Sequence, residues 1–218
     1  MKEKANGDCY LCGANLGKIA MKNHLFKLHG EEKIGEKCSL LKIEGVFNKE
    51  YWLYIDIPMD KTLSDVDAFL REIWLECCGH MSMFFHSGYN EMDMGKKLRT
   101  IPVGEKFFHH YDMGTTTETH ITVMGSVIRK PRKDTVRLLA RNTPPVFQCE
   151  DCGKRAEYML MEPDDGYEFP FYCAECSEKY DEEMMSPIAN SPRVGVCGYT
   201  GDLDVFEFNP ASIGLSKR

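Results

Sequence analysis

The sequence has no long apolar run, no internal repeat and no glycine-rich phosphate-binding loop. None of its 218 residues belongs to an apolar stretch that approaches the ~20 residues of a membrane-spanning helix. The first residues also lack the apolar core of a secretory signal, so we expect a cytoplasmic protein that does not contact a membrane. Because no nucleotide-binding glycine pattern is present, the sequence identifies no small-molecule substrate.

What the sequence does contain is cysteine in pairs. Without a secretory signal, paired thiols are typical of metal ligands and not of a disulfide framework, because the cytosol is reducing. Six of the ten cysteines fall, together with two histidines, into two sets that predict two structural zinc ions. The predicted ligands are Cys9, Cys12, His24 and His29 in the first set, and Cys149, Cys152, Cys173 and Cys176 in the second.

The first set predicts a two-Cys two-His zinc finger in residues 1–37. A cysteine knuckle and two histidines about one helical turn apart can converge on one tetrahedral ion. The gap between Cys12 and His24 is one residue shorter than is usual for such a finger, and Gly17 lies inside it. The alternative is a thiol pair with unrelated surface histidines. A lone finger of this kind binds nucleic acid, binds protein or is purely structural, and the spacing does not decide among these roles.

The second set predicts a four-Cys zinc ribbon in residues 147–185. Its two C-x-x-C pairs would flank a hairpin of strands at 158–161 and 168–172, joined by a turn at 163–166. Four thiolates leave no open coordination position, so the predicted ion is structural and not catalytic. The alternative is a redox dithiol pair. Residues 186–218 predict an extended tail packed on the surface, in which Cys197 is a buried thiol and not a ligand.

Residues 38–146 predict an α+β domain with a mostly antiparallel sheet. Thr62 and Asp65 form a predicted capping box, and the apolar residues that follow at three- and four-residue spacing predict one amphipathic helix. This helix would reach Cys77 and end at Gly79. Strands with hairpin-length connections around one main helix are typical of the α+β class. The predicted strands are 40–46, 51–57, 81–85, 106–111, 119–127 and 136–141.

Several short motifs follow one another in this central part. They are Tyr51–Ile57, Thr62-Leu63, Gly79-His80-Met81 with Phe84, Gly104–Phe107 and Tyr111–Gly114. Their order resembles the plasmid pRiA4b ORF-three-like family over roughly residues 40–130. The resemblance implies an α+β domain of plasmid- and mobile-element-associated proteins with no settled reaction, and the label of transposon accessory protein on some relatives points towards DNA. Two departures are Met113, where the family has Phe, and 115–118, where many members have Asp-x-Trp-x-His.

The formal net charge of −7 is unevenly distributed along the chain. Residues 1–37 carry seven lysines against five acids, whereas residues 149–185 carry three basic against twelve acidic side chains. The ribbon should therefore repel a phosphate backbone, and we place any nucleic-acid contact on the finger and on a basic cluster beyond residue 128. For that cluster the alternative is a solvated hairpin loop. The candidate contacts are Lys18, Lys22, Lys27, Arg129, Lys130, Arg132 and Lys133.

Two further functions remain open from the sequence. The first is a protein–protein adaptor that acts through the acidic ribbon. The second is an enzyme of unknown reaction that uses central histidines, but the spacing selects none of them and we predict a protein without catalytic activity. Physical chemistry favours a structural role for Tyr111–Gly114, with Asp112 capping a turn and the Tyr111 hydroxyl at the rim of the core. The candidates for the enzyme hypothesis are His80, His86, His109, His110 and His120, with Asp112 and Cys78.

Overall fold

The fold is α+β, as the sequence predicts, and is dominated by one large antiparallel sheet. The structure is a computed structural model, and it describes residues 5–30, 34–88, 90–131, 133, 135–161, 169–201 and 206–213. Within these ranges, no helix combines the length and apolar character needed to cross a bilayer.

Among the described residues, nine strands form the large sheet in the order β2-β1-β9-β4-β3-β8-β7-β5-β6. The longest pairing joins β3 and β8, from Glu36 opposite Arg129 to Gly45 opposite Thr119. The two finger strands extend the same sheet, because Gly7 in β1 lies opposite Asn142 in β9. The strands are β1 (Asn6–Cys9), β2 (Asn15–Gly17), β3 (Glu36–Gly45), β4 (Trp52–Pro58), β5 (Ser82–His86), β6 (Glu91–Met92), β7 (Lys106–Tyr111), β8 (Thr117–Arg129) and β9 (Arg137–Asn142).

Every residue of β4 is buried, because both faces of the sheet are covered there. Alternate residues of a strand point to opposite faces, and Leu53 and Ile55 accordingly pack in the main core beneath the central helix. Trp52 and Tyr54 face the other way, into a second core with Met21 of the finger helix α1 (Lys18–His29). The finger therefore covers one face of the central sheet, in addition to presenting a possible metal site.

The central helix begins as predicted and ends earlier than predicted. The N–H of Thr62 donates to the Asp65 carboxylate at 2.8 Å in a complete capping box ahead of α2 (Leu63–Leu70). One π-helical turn, Arg71–Leu75, follows, with the N–H of Glu76 bonded to the Arg71 carbonyl at 2.9 Å. The helix thus stops before Cys77 and not at Gly79, because Glu76 has an extended backbone with a ψ of 118°.

The ribbon folds as a small three-stranded sheet. β10 (Tyr158–Leu160) pairs with β11 (Phe171–Tyr172), which confirms the predicted hairpin, and with β12 (Met185–Pro187). A short helix, α3 (Ala174–Ser177), follows β11. The predicted turn at 163–166 and the start of the second predicted strand lie outside the described residues.

The C-terminal segment differs from the predicted surface tail. Asn190 is 7% exposed and Ser191 and Arg193 are almost fully buried, because they fill the space between the helix end and the sheet. The Ser191 hydroxyl donates to the Trp74 carbonyl at 2.6 Å. Cys197, in contrast, is exposed and not buried as predicted. Proline and glycine in this segment indicated irregular backbone correctly, but they carry no information about burial.

Candidate metal centres

The finger site combines the end of β1 with the helix α1. The N–H of Gly13 donates to the Cys9 carbonyl at 2.8 Å, which closes a tight knuckle and turns Cys12 towards the helix. Cys12 Sγ lies 3.2 Å from His24 Nε2, and the four donor atoms of Cys9, Cys12, His24 and His29 lie within 4.8 Å of one another. The structure therefore brings together the four residues that the sequence selects, in a group that could hold a metal ion.

The environment of the finger donors fits a metal. His29 Nε2 is buried and has no hydrogen-bond partner among the described residues, as expected of a nitrogen reserved for an ion. Burial, with a smaller effect of His24, lowers the pKa of His29, which favours the neutral imidazole that binds metal. Burial also raises the pKa of Cys9 to about 11, so metal binding there would displace a proton.

The ribbon site is built from two knuckles that face each other. The N–H of Gly153 donates to the Cys149 carbonyl at 2.9 Å, and the N–H of Ser177 donates to the Cys173 carbonyl at the same distance. Cys152 Sγ and Cys173 Sγ are 3.6 Å apart, and all four sulfurs lie within 4.8 Å of one another. Four sulfurs around one centre are the donor set of a closed structural zinc site.

Backbone amides favour the thiolate form of one ribbon cysteine, Cys149. Burial opposes ionisation of Cys149, but backbone N–H groups of Cys173, Cys152 and Asp151 point at its sulfur and lower its pKa to about 6. A cysteine held in this way is largely deprotonated at neutral pH, which is the state that binds zinc.

A third cluster was not predicted from the sequence. It consists of Cys77, Cys78, His80 and Cys197, whose donor atoms also lie within 4.8 Å of one another. With it, nine of the ten cysteines belong to a Cys/His cluster, and all ten are free of disulfides. The available signal was Cys77-x-x-His80 with a glycine before the histidine, but its fourth donor lies more than a hundred residues further on and no local pattern predicts it.

The central histidines have separate carboxylate partners. His109 is fully buried, with Nε2 2.7 Å from Asp67 Oδ1. His86 pairs with Glu105 at 3.3 Å, and the remaining two strand histidines also have their own partners. His110 lies 3.6 Å from Glu118 and His120 lies 3.6 Å from Glu44. Each of these four histidines thus has a different carboxylate neighbour, and the hypothesis of an enzyme stays untested by these contacts.

A groove of about 450 Å³ lies between the Pro144-Pro145 linker and the ribbon. Arg155, Tyr158 and Asn190 contribute to its lining, and none of the candidate histidines or cysteines does. This groove therefore brings no nucleophile or general base from the predicted set to a substrate-sized space.

Asp112 caps the turn after β7, as its position before Gly114 predicts. Its Oδ1 accepts the N–H of Gly114 at 3.0 Å, and its backbone has a φ of 66°. The Tyr111 ring is buried and its hydroxyl donates to Glu76 at 3.1 Å. His80 Nε2 lies 3.6 Å from the Asp112 carboxylate, so this turn borders the third cluster.

Two predicted nucleic-acid contacts are engaged within the protein. Arg129 is only 1% exposed, and its Nη1 donates to Asp56 at 2.7 Å, so it has to be withdrawn from the candidate contacts. Lys18 lies 2.5 Å from Glu44 and also donates to the Lys49 carbonyl at 3.1 Å. Both basic side chains serve the fold, because Arg129 pairs with the buried Asp56 carboxylate and Lys18 with the half-buried Glu44 carboxylate.

The other predicted contacts face solvent where the structure describes them. Lys27, Lys130 and Lys133 are exposed, and Lys22 is half-buried. Arg132 lies outside the described residues. The backbone N–H of Ile128 donates to the carbonyl at the end of α1, Gly30, at 3.4 Å, so the helix end adjoins the last residues of β8.

The fold and its clusters define a class: an α+β protein whose described residues include three Cys/His groups that could hold metal ions. No protein-family model and no curated protein matches the chain. Among solved structures, a crystal structure of a protein of unknown function from Methanosarcina mazei Go1 is similar to it, with 16% identity and a TM-score of 0.43. That similarity covers 56% of this chain and 76% of the other.

Proposed function

We propose that this chain is a zinc-binding, non-catalytic protein that contacts nucleic acid through lysines of its finger and of the loop after β8. The contact surface, which we call the lysine patch, consists of Lys22, Lys27, Lys130 and Lys133. The observation that carries the proposal is the contact between Gly30 and Ile128, because it places the end of the finger helix beside the loop after β8. The predicted mobile-element resemblance of the central domain points in the same direction.

The charge distribution supports contact with phosphates at this place. Helix α1 contains three lysines and two histidines and no acidic residue. Phosphate contacts by lysine do not depend on base sequence, so we propose positioning on a nucleic-acid backbone and not readout of bases. Zinc would not touch the nucleic acid itself. The ion would hold α1 in the orientation that exposes Lys27 to the phosphates.

A non-catalytic role is supported by the histidines. His109, which has the shortest carboxylate contact among them, is wholly buried and cannot meet a substrate without a rearrangement of the sheet. Its Nδ1 has no hydrogen-bond partner among the described residues, which suits the bare nitrogen of a neutral imidazole.

The test compares two double variants of equal charge. Lys27→Gln with Lys130→Gln removes two members of the lysine patch, whereas Lys97→Gln with Lys106→Gln removes two exposed lysines elsewhere. Affinity for mixed duplex DNA and for RNA is measured by fluorescence anisotropy at several salt concentrations. Each phosphate contact contributes about −0.9 to the slope of log K against log salt on duplex DNA, so the patch variant should flatten that slope by about 2 units.

The control variant should keep the slope of the parent protein. Equal slopes for the two double variants would remove the lysine patch from the proposal, and absence of salt-sensitive binding by the parent protein would remove nucleic acid altogether. Both variants should retain the metal content and the unfolding transition of the parent, because all four lysine side chains are exposed.

A second candidate function is a protein adaptor that acts through the ribbon. The specific observation is that Val146 and Phe169 are 67% and 48% exposed beside a strongly acidic segment. This combination suits a partner with basic and apolar groups. Cross-linking in cell extract should then give a partner that persists after nuclease treatment and is lost in Cys173→Ser, whereas loss of the partner on nuclease treatment would favour the first candidate.

A further inference from the structure

We propose that Cys77, Cys78, His80 and Cys197 form a third zinc site, which fastens the C-terminal segment to the end of the central helix. The site joins two parts of the chain that are far apart in sequence. Cys77, Cys78 and His80 follow directly after the π-helical turn, and Cys197 is supplied by the segment after β12.

The sulfur–sulfur distances match those around a tetrahedral ion, and the two sulfur–nitrogen distances are somewhat shorter than the ideal value. With zinc–sulfur and zinc–nitrogen bonds of roughly 2.3 and 2.05 Å, the donors of a tetrahedron lie about 3.8 Å apart for two sulfurs and about 3.6 Å apart for sulfur and nitrogen. Cys78 Sγ lies 3.8 Å from Cys77 Sγ and 3.7 Å from Cys197 Sγ. His80 Nε2 lies 3.4 Å from Cys197 Sγ and 3.0 Å from Cys78 Sγ.

The same comparison holds for the two predicted centres. The sulfurs of Cys152 and Cys173 in the ribbon are 3.6 Å apart, and Cys12 Sγ in the finger lies 3.2 Å from His24 Nε2. The third cluster is therefore as well arranged as the two that the sequence selects. Three thiols and one imidazole are a donor set of closed zinc sites, and soft thiolates select zinc over the hard cations that prefer oxygen.

The backbone at both ends of the site is shaped to present these donors. Gly79 has a φ of 82°, which turns the chain between Cys78 and His80 so that both side chains meet. Cys197 has a φ of 54°, in a region that non-glycine residues adopt rarely and that commonly marks functional positions. Glycines with positive φ precede and follow it, at Gly195 and Gly198.

The loop that carries Cys197 is anchored without help from a metal. Ser191 is bonded to Trp74, and Arg193 donates to the Asp112 carboxylate at 2.8 Å. These buried contacts lie only a few residues before Cys197, so they place its sulfur near the end of the central helix. A site whose donors are positioned by other contacts binds its ion without a large ordering cost.

The charges around the cluster suit three thiolates. Zinc with three thiolates and a neutral imidazole carries a net charge of −1, and the Arg193 guanidinium stands beside it with Nη2 3.4 Å from Cys77 Sγ. A buried cation that donates to a coordinating sulfur is a common outer partner of metal ligands. Arg193 thereby serves two groups, the Asp112 carboxylate and the cluster.

The rival explanation is a disulfide between Cys78 and Cys197. Its formation would oxidise two thiols to one S–S bond with loss of two protons and two electrons to an oxidant. It would leave Cys77 and His80 without a role, although both point their donor atoms into the cluster. The zinc proposal uses all four residues and requires no oxidant.

The test is the metal content of the full-length protein purified under reducing conditions, measured by native mass spectrometry and elemental analysis. The parent protein should hold three zinc ions, and Cys197→Ser should hold two. Cys38→Ala is the matched control, because Cys38 is the one cysteine outside the three clusters and its variant should keep three ions. Two ions in the parent and an unchanged number in Cys197→Ser would overturn the proposal.

A second measurement on the parent protein covers the case in which the variant fails to fold. Cys78 and Cys197 are exposed, so they should react rapidly with N-ethylmaleimide when free and should be protected when zinc is bound. Peptide mapping before and after removal of metal by a chelator should therefore show at least a tenfold gain in their labelling rate. Rapid labelling of both in the zinc-loaded protein, or an S–S bond between them in the reduced preparation, would also overturn the proposal.

Discussion

Arg193 Nη2 donates to Asp112 Oδ2 at 2.8 Å, and the two side chains are 0% and 8% exposed. The same guanidinium donates to the Thr117 hydroxyl at 3.0 Å and to the Thr115 carbonyl at 3.3 Å. One residue of the C-terminal segment therefore closes the turn that follows β7. Asp112 has a positive φ in this turn, and its carboxylate is bound on two sides. The backbone N–H of Gly114 donates to one oxygen, and the buried Arg193 guanidinium donates to the other.

The first prediction concerns this ion pair. Arg193→Met should lower the free energy of unfolding by about 3–5 kcal/mol, because it leaves the Asp112 carboxylate buried without its cation. Urea denaturation measures the change. Arg99→Met is the control, since Arg99 is exposed and its loss should change stability by no more than about 0.5 kcal/mol. A loss below about 1 kcal/mol in Arg193→Met would mean that the segment does not hold the turn.

The second prediction separates the two metal centres that the sequence selects. Cys12→Ser and Cys173→Ser should each bind one zinc ion fewer than the parent protein, and the double variant two fewer, because the clusters share no residue. Each single variant should also unfold at a lower temperature, since binding free energy at a structural zinc site is folding free energy. Elemental analysis with differential scanning calorimetry tests both statements, and loss of two ions on a single substitution would contradict independent sites.

The third prediction concerns stability at acidic pH. Burial opposes ionisation of Asp67, but hydrogen bonds from His109, Ser82 and Arg71 lower its pKa from 3.8 to about 2. A carboxylate with a depressed pKa stabilises the fold fully above its ordinary pKa, and this contribution is lost as the pH falls from about 4 towards 2. The lost contribution should be about 2 kcal/mol.

The neighbouring histidine acts in the same direction at higher pH. Burial lowers the pKa of His109, so the folded protein keeps it neutral while the unfolded chain takes up a proton below about pH 6.5. Stability should thus begin to fall below pH 6.5. Urea titrations between pH 2 and 7 test this, and Asp67→Asn should flatten the decline between pH 4 and 2 while Asp60→Asn, at an exposed position, should not. Parallel curves for the two variants would contradict the assignment.

The parts of the molecule that the sequence predicts are those whose partners are close along the chain. The Thr62–Asp65 capping box spans three residues, and the ligands within each predicted zinc set are joined by spacings that knuckles and helices impose. Arg129 was misplaced on the surface because its partner, Asp56, is 73 residues away. Cys197 was likewise assigned no partner, since Cys78 is 119 residues away.

The local sequence pattern also could not predict what buries each of the two faces of the sheet. The run from Trp52 to Pro58 is apolar except for Asp56, and such a run indicates burial without saying what covers each face. The structure assigns one face to α2 and the other to the finger helix. Asp56 is tolerated there because Arg129 and Arg137 both donate to its carboxylate, a pairing that no periodicity of the strand predicts.

The last prediction tests whether the finger is part of the central sheet or an independent module. A Cβ atom at Gly7 would lie 2.2 Å from the Arg141 carbonyl oxygen and 2.5 Å from the Trp52 ring, so Gly7→Ala should force β1 away from β9. Overpacking of this kind costs about 1–3 kcal/mol. Gly17→Ala is the matched control in the same finger, because its Cβ would meet only Asn6 Oδ1 at 3.5 Å.

Urea denaturation should therefore show a clear loss for Gly7→Ala and a smaller one for Gly17→Ala, because Gly17 is the N-cap of α1 and alanine is a poorer cap than glycine. Tryptophan emission should shift to longer wavelength in Gly7→Ala, since Trp52 is 1% exposed beneath the finger and would gain contact with water. Both variants keep the four finger ligands, so zinc content should remain equal and the excess loss in Gly7→Ala should arise from packing. If the two variants unfold alike, the stability of the finger does not depend on its pairing with β9. The finger would then be an independent module, and the sheet would consist of two units that meet between β1 and β9.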